Sequence, residues 1–438
     1  MSRYKRYERY KDSGVEWIGE IPEHWNNKKI SWIFNIIGSG TTPSTSNLEY
    51  YDGDVPWVNT GDLNDGYLYE TSKMITDLAL KDYSTLKFYP IDTLLIAMYG
   101  ATIGKLSITK IIATTNQACC ALAQPKNVNI KFIFYWFLAN RNHIIAMAYG
   151  GGQPNISQNL IKSLRINLPE KHEQNAIVNF LDQKTAVIDG LIADKEKLIE
   201  LLQEKRQAII TEAVTKGLNP NVRMKDSGIE WIGEIPEHWE VKKLKHVSNI
   251  TMGQSPKSEE CSYDEIGVPF LQGNAEFTNV HPIPKMYCNT ANKFSKVNDI
   301  LLSVRAPVGA INISDRVYGI GRGLCAITAK KVIMKYLWYS LNVSLEELFI
   351  KSKGSTFEAV TVTDVQNLLI ILPPKNEQDD IVNFLDKKTA EIDGLVIEIK
   401  KQIEKLKEYR QSLISEAVTG KIDVREFQKK NEVIFRNE

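Results

Sequence analysis

The sequence of 438 residues predicts a mixed α/β (α+β) fold that is built twice, as two tandem bodies that are each followed by a long helix. Three observations lead to this fold class. Two blocks of sequence are repeated, a helical segment without proline follows each body, and the bodies consist of short β-rich runs separated by turn residues. The duplication predicts a pseudo-twofold relation between the two halves.

The repeat is clearest in two blocks. KDSGVEWIGEIPEHW at 11–25 returns as KDSGIEWIGEIPEHW at 225–239, with one difference and an offset of 214. INLPEKHEQNAIVNFLDQKTAVIDGL, which starts at Ile166, returns as IILPPKNEQDDIVNFLDKKTAEIDGL from Ile370, with an offset of 204. The resulting domain boundaries are 1–171 for the first body, 172–216 for the first helix, 217–374 for the second body, 375–421 for the second helix and 422–438 for a tail.

Each body has a variable sequence on a common frame. Runs such as PWVNTGDL and DTLLIAMYG are broken by Gly, Pro and Asn, which is typical of a mixed α/β module with many turns. Amphipathic spacing over 131–148 and 335–350 predicts one packing helix per body. A frame that is kept twice while its loops differ indicates that the two bodies recognise two different things.

The helical segment 172–214 contains no proline and one glycine, and about 43 residues of helix would reach roughly 65 Å. Apolar residues at a three–four spacing predict a coiled-coil seam. The seam residues are Ile188, Leu191, Leu198, Leu202 and Ile209 in the first helix, and Ile392, Leu395, Ile399, Leu406 and Leu413 in the second. Polar residues interrupt both seams, which favours pairing of the two helices within one chain over homodimerisation. The alternative is that each helix packs on its own body.

Composition excludes several classes. The net charge of +1 argues against a uniformly basic nucleic-acid coat. The five cysteines form no CxxC pair, so neither a zinc site nor a disulfide framework is indicated, as in a reducing compartment. The most apolar run, 132–139, is far shorter than the roughly 20 residues that span a bilayer. With no secretory signal in the basic start, we expect a cytoplasmic protein.

Catalytic and metal-binding motifs are not found in the sequence. GATIGKLS at 100–107 has three residues between its glycines, and Leu106 stands where a phosphate-binding loop has Ser or Thr, so a turn is favoured. His24 and His238 lack a second ligand at metal-binding spacing, which favours packed histidines. We therefore expect no catalytic residues, no metal and no cofactor on this chain.

The charges are sorted within each body. Residues 93–169 contain no acid but seven basic side chains, and 277–345 contain nine basic side chains against Asp299 and Asp315. Such positive segments can face phosphates, while Arg and Lys can read guanine and Asn and Gln can read adenine. The alternative is that these charges lie on several faces. The candidate DNA-binding residues are Asn59, Lys73, Tyr99, Thr102, Lys105, Asn116, Gln153 and Asn155 in the first body, and Gln272, Asn274, Lys285, Arg305, Arg322 and Thr356 in the second.

The duplicated motifs resemble a known family. GxEWIGEIPEHW occurs twice, and so does LP-x-K-x-EQ-x-x-IVNFLD-x-KTA-x-IDGL, each time followed by a helix ending in EAVT. Together they closely resemble the specificity (S) subunit of type I restriction–modification systems. The resemblance covers nearly the whole chain, apart from the tail after about Ile422.

The resemblance implies a function. Each body would be a target-recognition domain that reads one half of a bipartite, asymmetric double-stranded DNA site, and the two helices would pair antiparallel and set the spacer. The chain would be non-catalytic and would dock two methyltransferase (M) subunits that use S-adenosylmethionine. Restriction/translocase (R) subunits would add ATP and Mg²⁺ chemistry. The family fixes no universal base-reading residues.

Two other classes stay open. A complete DNA methyltransferase or nuclease in one chain would show methyl transfer by the purified chain alone. A coiled-coil scaffold whose bodies bind proteins would lack the salt-dependent binding to duplex DNA that counterion release produces.

Overall fold

The computed structural model describes residues 4–148, 155–230, 232–352 and 360–427. They form two compact units, one from residues 1–195 and 401–438 (unit 1) and one from residues 196–400 (unit 2). Each unit therefore holds one body and part of each long helix. The predicted mixed α/β fold, with two bodies and two long helices, is confirmed. None of the helices among the described residues is both long and apolar enough to cross a membrane.

Among the described residues, unit 1 contains twelve strands and four helices besides the long ones. The strands are β1 (Tyr10–Asp12), β2 (Glu20–Pro22), β3 (Asn26–Lys29), β4 (Phe34–Gly38), β5 (Tyr51–Val58), β6 (Gly66–Leu68), β7 (Met74–Ile75), β8 (Leu94–Ala97), β9 (Leu106–Thr109), β10 (Thr114–Thr115), β11 (Cys119–Pro125) and β12 (Arg165–Leu168). The helices are α1 (Ile30–Ile33), α2 (Asp77–Asp82), α3 (Ile130–Ala146) and α4 (Gln158–Ser163).

The main sheet of unit 1 has the order β4-β11-β8-β9-β6. All four residues of β8 are buried because successive side chains enter two cores on opposite faces. Leu94 and Ile96 join the large core with α3, whereas Leu95 and Ala97 join a smaller core. This explains why the strand is a continuous apolar run in the sequence. A separate three-stranded sheet has the order β10-β5-β7.

Unit 2 repeats this plan, and its described residues form twelve strands and two helices besides the long ones. The strands are β13 (Met224–Asp226), β14 (Glu234–Pro236), β15 (Glu240–Lys243), β16 (Ser248–Met252), β17 (Cys261–Ser262), β18 (Val268–Leu271), β19 (Met286–Cys288), β20 (Ile300–Ser303), β21 (Ile311–Ile313), β22 (Gly319–Ile320), β23 (Leu324–Ala329) and β24 (Leu369–Leu372). The helices of the second body are α6 (Met334–Ser352) and α7 (Val362–Asn367). The main sheet has the order β16-β23-β20-β21.

The long helices are α5 (Lys171–Lys216) and α8 (Lys375–Val418). In unit 1 two contacts show that they run antiparallel. Arg410 pairs with Asp189 (Nε–Oδ1 2.8 Å), and Gln402, which precedes Arg410 on α8, accepts from Lys195, which follows Asp189 on α5 (2.7 Å). In unit 2, Arg206 Nε of α5 lies 3.2 Å from an Asp393 carboxylate oxygen of α8. Asp189 and Asp393 are equivalent positions of the repeat, and so are Arg206 and Arg410. The same ion pair therefore forms in both units, but α5 supplies the Asp in unit 1 and the Arg in unit 2.

The predicted seam needs a correction at three positions. Leu191, Leu198 and Leu395 are exposed by 45%, 44% and 53%, and the side chain that follows each of them in the sequence is half-buried instead. The positions of the corrected seam, all of them buried or half-buried, are Ile188, Ile192, Lys195, Ile199, Leu202, Arg206 and Ile209 on α5, and Ile392, Val396, Ile399, Ile403, Leu406, Arg410 and Leu413 on α8. The spacing alone could not separate the two phases, because Leu191-Ile192, Leu198-Ile199 and Leu395-Val396 are all adjacent apolar pairs.

The cysteines also differ from expectation. Cys261 of β17 and Cys288 of β19 are directly opposed in an antiparallel pair and form a disulfide, with their Cα atoms 4.3 Å apart. No local pattern in the sequence indicates this disulfide, because the two residues are 27 positions apart and become neighbours only through strand pairing. Cys119, Cys120 and Cys325 are buried free thiols. Burial raises the pKa of Cys120 and of Cys325 to about 12.

Candidate functional site

Four strand ends of unit 1 meet at one edge of the main sheet. Antiparallel pairing places the end of β4 and the end of β8 beside the start of β11, and the end of β8 beside the start of β9. The loops that follow Gly38 and Ala97 and those that precede Leu106 and Cys119 therefore converge there. We call this edge the loop end of unit 1, and the corresponding edge formed by β16, β20, β21 and β23 the loop end of unit 2.

The loop after β4 is bound tightly to the end of β10 and to the loop that leads from it into β11. Gly40 N donates to Thr115 Oγ1 (2.9 Å), and a Cβ atom on Gly40 would lie 1.8 Å from the Thr115 carbonyl oxygen, so only glycine fits. Thr42 Oγ1 donates to Gln117 Oε1 at 2.5 Å. The indole of Trp57, from β5, donates to the Thr41 carbonyl at 3.1 Å. Three separate segments thus hold one another at the loop end.

Two of the predicted DNA-binding residues are used inside this cluster. Asn116 is 9% exposed, donates from Nδ2 to Asn59 Oδ1 (3.2 Å) and accepts from Ala118 N (3.0 Å). Asn59 also caps the turn over 60–62, where its own N–H is bound by Asp62. The structure therefore places Asn59 and Asn116 as residues that shape the loops.

The loop between β8 and β9 contributes other predicted residues. Tyr99 forms an isolated bridge with Asn155, while Ile156 N donates to the Met98 carbonyl at 2.7 Å. Thr102 is half-buried and lies in a turn bounded by glycines at φ +83° and +76°. Lys105 is exposed. The segment 100–104 is thus a turn, as its spacing favoured over a nucleotide loop. Gln153 lies outside the described residues.

The loop end of unit 2 repeats the construction. A Cβ atom on Gly253 would lie 2.1 Å from the Gly321 carbonyl oxygen, and Ser255 Oγ accepts from Arg322 N at 3.2 Å. Gly321 N in turn donates to the Leu271 carbonyl at 2.8 Å, which ties the cluster to the loop after β18.

The remaining predicted residues of unit 2 are distributed around this cluster. Gln272 is exposed and Asn274 is half-buried in the loop after β18, and Arg305 is exposed in the loop between β20 and β21. Lys285 is exposed immediately before β19, as Lys73 is before β7 in unit 1. Lys73 and Lys285 thus do not belong to the three-loop clusters. Thr356 lies outside the described residues.

Two hydroxyl residues, one in the loop after β4 and one in the loop after β16, are not among the residues predicted from the sequence. Thr42 and Ser255 stand at the same place in GTTP at 40–43 and GQSP at 253–256. The shared pattern Gly-x-Thr/Ser-Pro, once per body, was the signal that could have found them. Its glycine permits the close backbone approach, and its hydroxyl binds the neighbouring loop.

Each body is joined to its long helix by a repeated carboxylate. Glu173, 2% exposed, accepts from His24 Nε2 (2.8 Å) and from the indole of Trp25 (3.3 Å). In unit 2, Glu377 binds His238 (2.7 Å) and Trp239 (2.9 Å) in the same way. The histidines of the repeated PEHW block are therefore partners of a helix carboxylate.

A second repeated carboxylate lies two turns further along each helix. Lys131 (2.5 Å) and Tyr135 (2.7 Å), both on α3, bind the two oxygens of Asp182. The equivalent set in unit 2 consists of Lys335, Tyr339 and Asp386, at 2.5 and 2.9 Å. These charge-assisted contacts fix how each body is seated on its helix. Within the described residues, no cluster of three or more His, Cys, Asp or Glu side chains could hold a metal ion.

Comparison with known proteins agrees with the duplicated architecture. The family model of the type I restriction modification DNA specificity domain matches residues 22–201 and again residues 236–405. The chain is 31% identical over 424 residues to the MjaX type I restriction enzyme specificity subunit of Methanocaldococcus jannaschii, covering 93% of this chain and 96% of that protein. The MjaIX specificity subunit of the same organism is 27% identical over 434 residues, with 93% and 96% covered.

The fold is also found among solved structures. A chain from a type I R-M system, solved to explain complex assembly and conformational transition, superposes with a TM-score of 0.71 at 22% identity, covering 91% of this chain and 98% of that chain. At this identity the similarity shows only that the two chains share a fold. Because the family model matches both copies and a 31% identical relative is matched along almost its full length, the chain belongs to the type I restriction enzyme specificity subunits.

Proposed function

We propose that this specificity subunit reads a bipartite, asymmetric DNA site, with one half-site bound at each loop end. The observation that carries the proposal is that the same three-loop cluster is built in both units and displays different side chains in each. An identical frame with Gln117 exposed in one copy and Arg322 in the other is suited to two different base sequences. The sorted charge of the bodies would supply the phosphate contacts.

The long helices would set the spacer and dock two methyltransferase subunits. Support comes from the antiparallel contacts of α5 and α8 and from apolar side chains left exposed on them. Val187 is 63% exposed and Leu191 45% in unit 1, while Leu201 is 49% and Leu395 53% exposed in unit 2. Large exposed apolar residues beside charged ones are typical of a surface that a protein partner covers.

The chain itself would be non-catalytic. In this proposal the methyltransferase subunits supply S-adenosylmethionine chemistry, and restriction/translocase subunits supply the steps that use ATP and Mg²⁺. Besides the indole of Trp57, the polar side chains named in the two loop clusters are amides, hydroxyls and an arginine, which are groups that recognise bases. A complete single-chain enzyme would be indicated if the purified chain alone transferred methyl groups to DNA.

DNA reading is tested by mapping methylated adenines in cells that express the chain with its methyltransferase partner. We expect one two-part motif with a fixed spacer. Replacing residues 30–165 with the corresponding body of another specificity subunit should change one half of the motif and leave the other. A motif without two parts, or a swap that changes both halves, would contradict the proposal. Binding of the complex to duplex DNA should weaken steeply with salt, whereas a protein scaffold would show no such slope.

The spacer role is tested in α5. Inserting four residues after Leu202 adds about one helical turn, roughly 6 Å, against 3.4 Å for each base-pair step. We expect the spacer of the methylated motif to change by about one or two base pairs while both half-sites stay the same. An unchanged spacer in an active complex would rule out the helices as the spacing element.

A further inference from the structure

We infer that Gln117 and Arg322 occupy one equivalent base-reading position, which selects adenine in the half-site of the first body and guanine in that of the second. The inference rests on the proposed function and names two specificity-determining side chains for it. Strand register relates the two bodies residue by residue where their sequences have diverged.

The register of the main sheets makes the two positions equivalent. Ala121 pairs with Gly38 between β11 and β4, and Ala326 pairs with Thr251 between β23 and β16. Gln117 lies four residues before Ala121, and Arg322 lies four residues before Ala326. Both residues therefore precede the equivalent strand of their sheet, β11 or β23, by the same number of residues from the paired position.

The same relation holds for the hydroxyl residues that touch them. Thr42 lies four residues after Gly38, and Ser255 lies four residues after Thr251. Thr42 binds the side chain of Gln117, whereas Ser255 binds the backbone N–H of Arg322. In both bodies the hydroxyl in the loop after β4 or β16 thus orients the residue at the equivalent position before β11 or β23.

Both side chains are available for a ligand. Gln117 and Arg322 are exposed, while the residues around them are fixed by backbone contacts that only glycine allows at 40 and 253. Thr42 donates to Oε1 of Gln117, which leaves the second lone pair of Oε1 to accept and the NH₂ group of the amide to donate outward. No described side chain forms an ion pair with the Arg322 guanidinium, although acids are common elsewhere in the chain. A rigid loop that presents a planar side chain with open hydrogen-bonding groups is what base reading requires.

The two residue types predict different bases. A glutamine amide matches the N6 donor and N7 acceptor of adenine, and a guanidinium matches the O6 and N7 acceptors of guanine. Neighbouring Asn116 cannot do this work, because both ends of its amide are already bound within the loop cluster. The equivalent position thus differs between the bodies in the way that an asymmetric site needs.

The test exchanges the two side chains in the full-length chain, co-expressed with its methyltransferase partner, and maps methylated adenines in the host genome. Gln117→Arg should shift one position in the first half-site from adenine towards guanine by roughly ten- to a hundredfold, and Arg322→Gln should do the reverse in the second. The untouched half-site is an internal control. Arg316→Gln, which replaces an exposed arginine beyond the far end of β21, should change neither half.

An unchanged motif in both exchange variants would overturn the inference. If an exchange abolishes methylation, Gln117→Ala and Arg322→Ala decide. Relaxed base preference at a single position of the matching half-site supports base reading. An unchanged motif, relaxed preference in both halves or loss of all methylation would assign the residue a structural role and overturn the inference. Failure of the proposed function is distinct, because the unaltered complex would then yield no two-part motif.

Discussion

Glu173 and Glu377 are equivalent positions of the repeat, but their carboxylates contribute differently to stability in the two copies. Glu173 is buried and accepts a third hydrogen bond, from Tyr7 OH at 2.6 Å. Burial raises the pKa of Tyr7, and the neighbouring Glu173 raises it further, so the phenol stays a donor. The side chain of Glu377 is 33% exposed, and only His238 and Trp239 bind it among the described residues.

We therefore predict that Glu173→Gln destabilises the protein more than Glu377→Gln. The first change replaces a buried charged acceptor by an amide that cannot satisfy three donors, and hydrogen bonds to charged groups contribute about 1.5–3 kcal/mol each. The expected loss is about 2–3 kcal/mol for Glu173→Gln and about 1 kcal/mol for Glu377→Gln. Urea unfolding followed by tryptophan fluorescence measures it. Equal losses would show that Tyr7 and burial add nothing at Glu173.

A second prediction at this scale concerns Gly40. A methyl group there would meet the Thr115 carbonyl oxygen at 1.8 Å, so Gly40→Ala must displace backbone of the loop cluster. We expect a loss of about 2 kcal/mol or more together with loss of methylation activity in the complex. Gly61→Ala is the matched control, because nothing lies within 4 Å of its added Cβ. It should change stability by less than about 0.5 kcal/mol.

At the scale of elements, the phase of the helix seam matters most. Both long helices carry apolar residues on more than one side, and the covered positions alternate in steps of four and three from Ile188 and Ile392. Arg206 and Arg410 occupy such positions and meet Asp393 and Asp189, respectively. A charged residue at a seam position with a partner specifies register more than it stabilises.

The phase can be tested by two alanine substitutions on α8. Ile399 is 8% exposed, so Ile399→Ala should cost about 2–4 kcal/mol through lost burial and a residual cavity. Leu395 is 53% exposed, so Leu395→Ala should cost less than about 0.5 kcal/mol in the isolated chain. Denaturant unfolding separates the two outcomes. A larger loss for Leu395→Ala would restore the three–four seam that spacing alone predicts.

At the scale of the whole molecule, the two units share one plan and differ in their chemistry. The disulfide between Cys261 and Cys288 ties the segment after the GQSP loop to β19 and belongs to unit 2. The three free thiols are buried, and burial raises the pKa of Cys120 and of Cys325 to about 12. Since the thiolate is the reactive form, these thiols should be inert in the folded protein.

Thiol labelling with a maleimide checks this at the level of the intact chain. We expect no rapid labelling of the native protein between pH 7 and 8.5, labelling at Cys261 and Cys288 after mild reduction, and labelling of all five cysteines after reduction and denaturation. Peptide mapping assigns the sites. Rapid labelling of Cys261 without a reductant would show that the disulfide is not formed, and early labelling of Cys120 would contradict its burial.

Much of the architecture is visible in the sequence because repetition and periodicity are local signals. The repeated blocks at 11–25 and 225–239 mark the two copies, and the helical spacing locates α5 and α8. The candidate site was predicted less completely. Asn59 and Asn116 have the side chains of base readers, yet in the structure they bind each other, and Thr42 gains its role only through contact with Gln117.

The sequence by itself therefore determined the duplication, the mixed α/β class, the two long helices and the family. Tertiary structure alone decided which of two adjacent apolar residues faces the helix partner, that Cys261 meets Cys288, and that Gln117 and Arg322 are equivalent. The physical reason is the range of the interactions. Periodicity and turn chemistry act over a few residues, whereas seam phase, strand register and loop contacts depend on which distant segments the folded chain brings together.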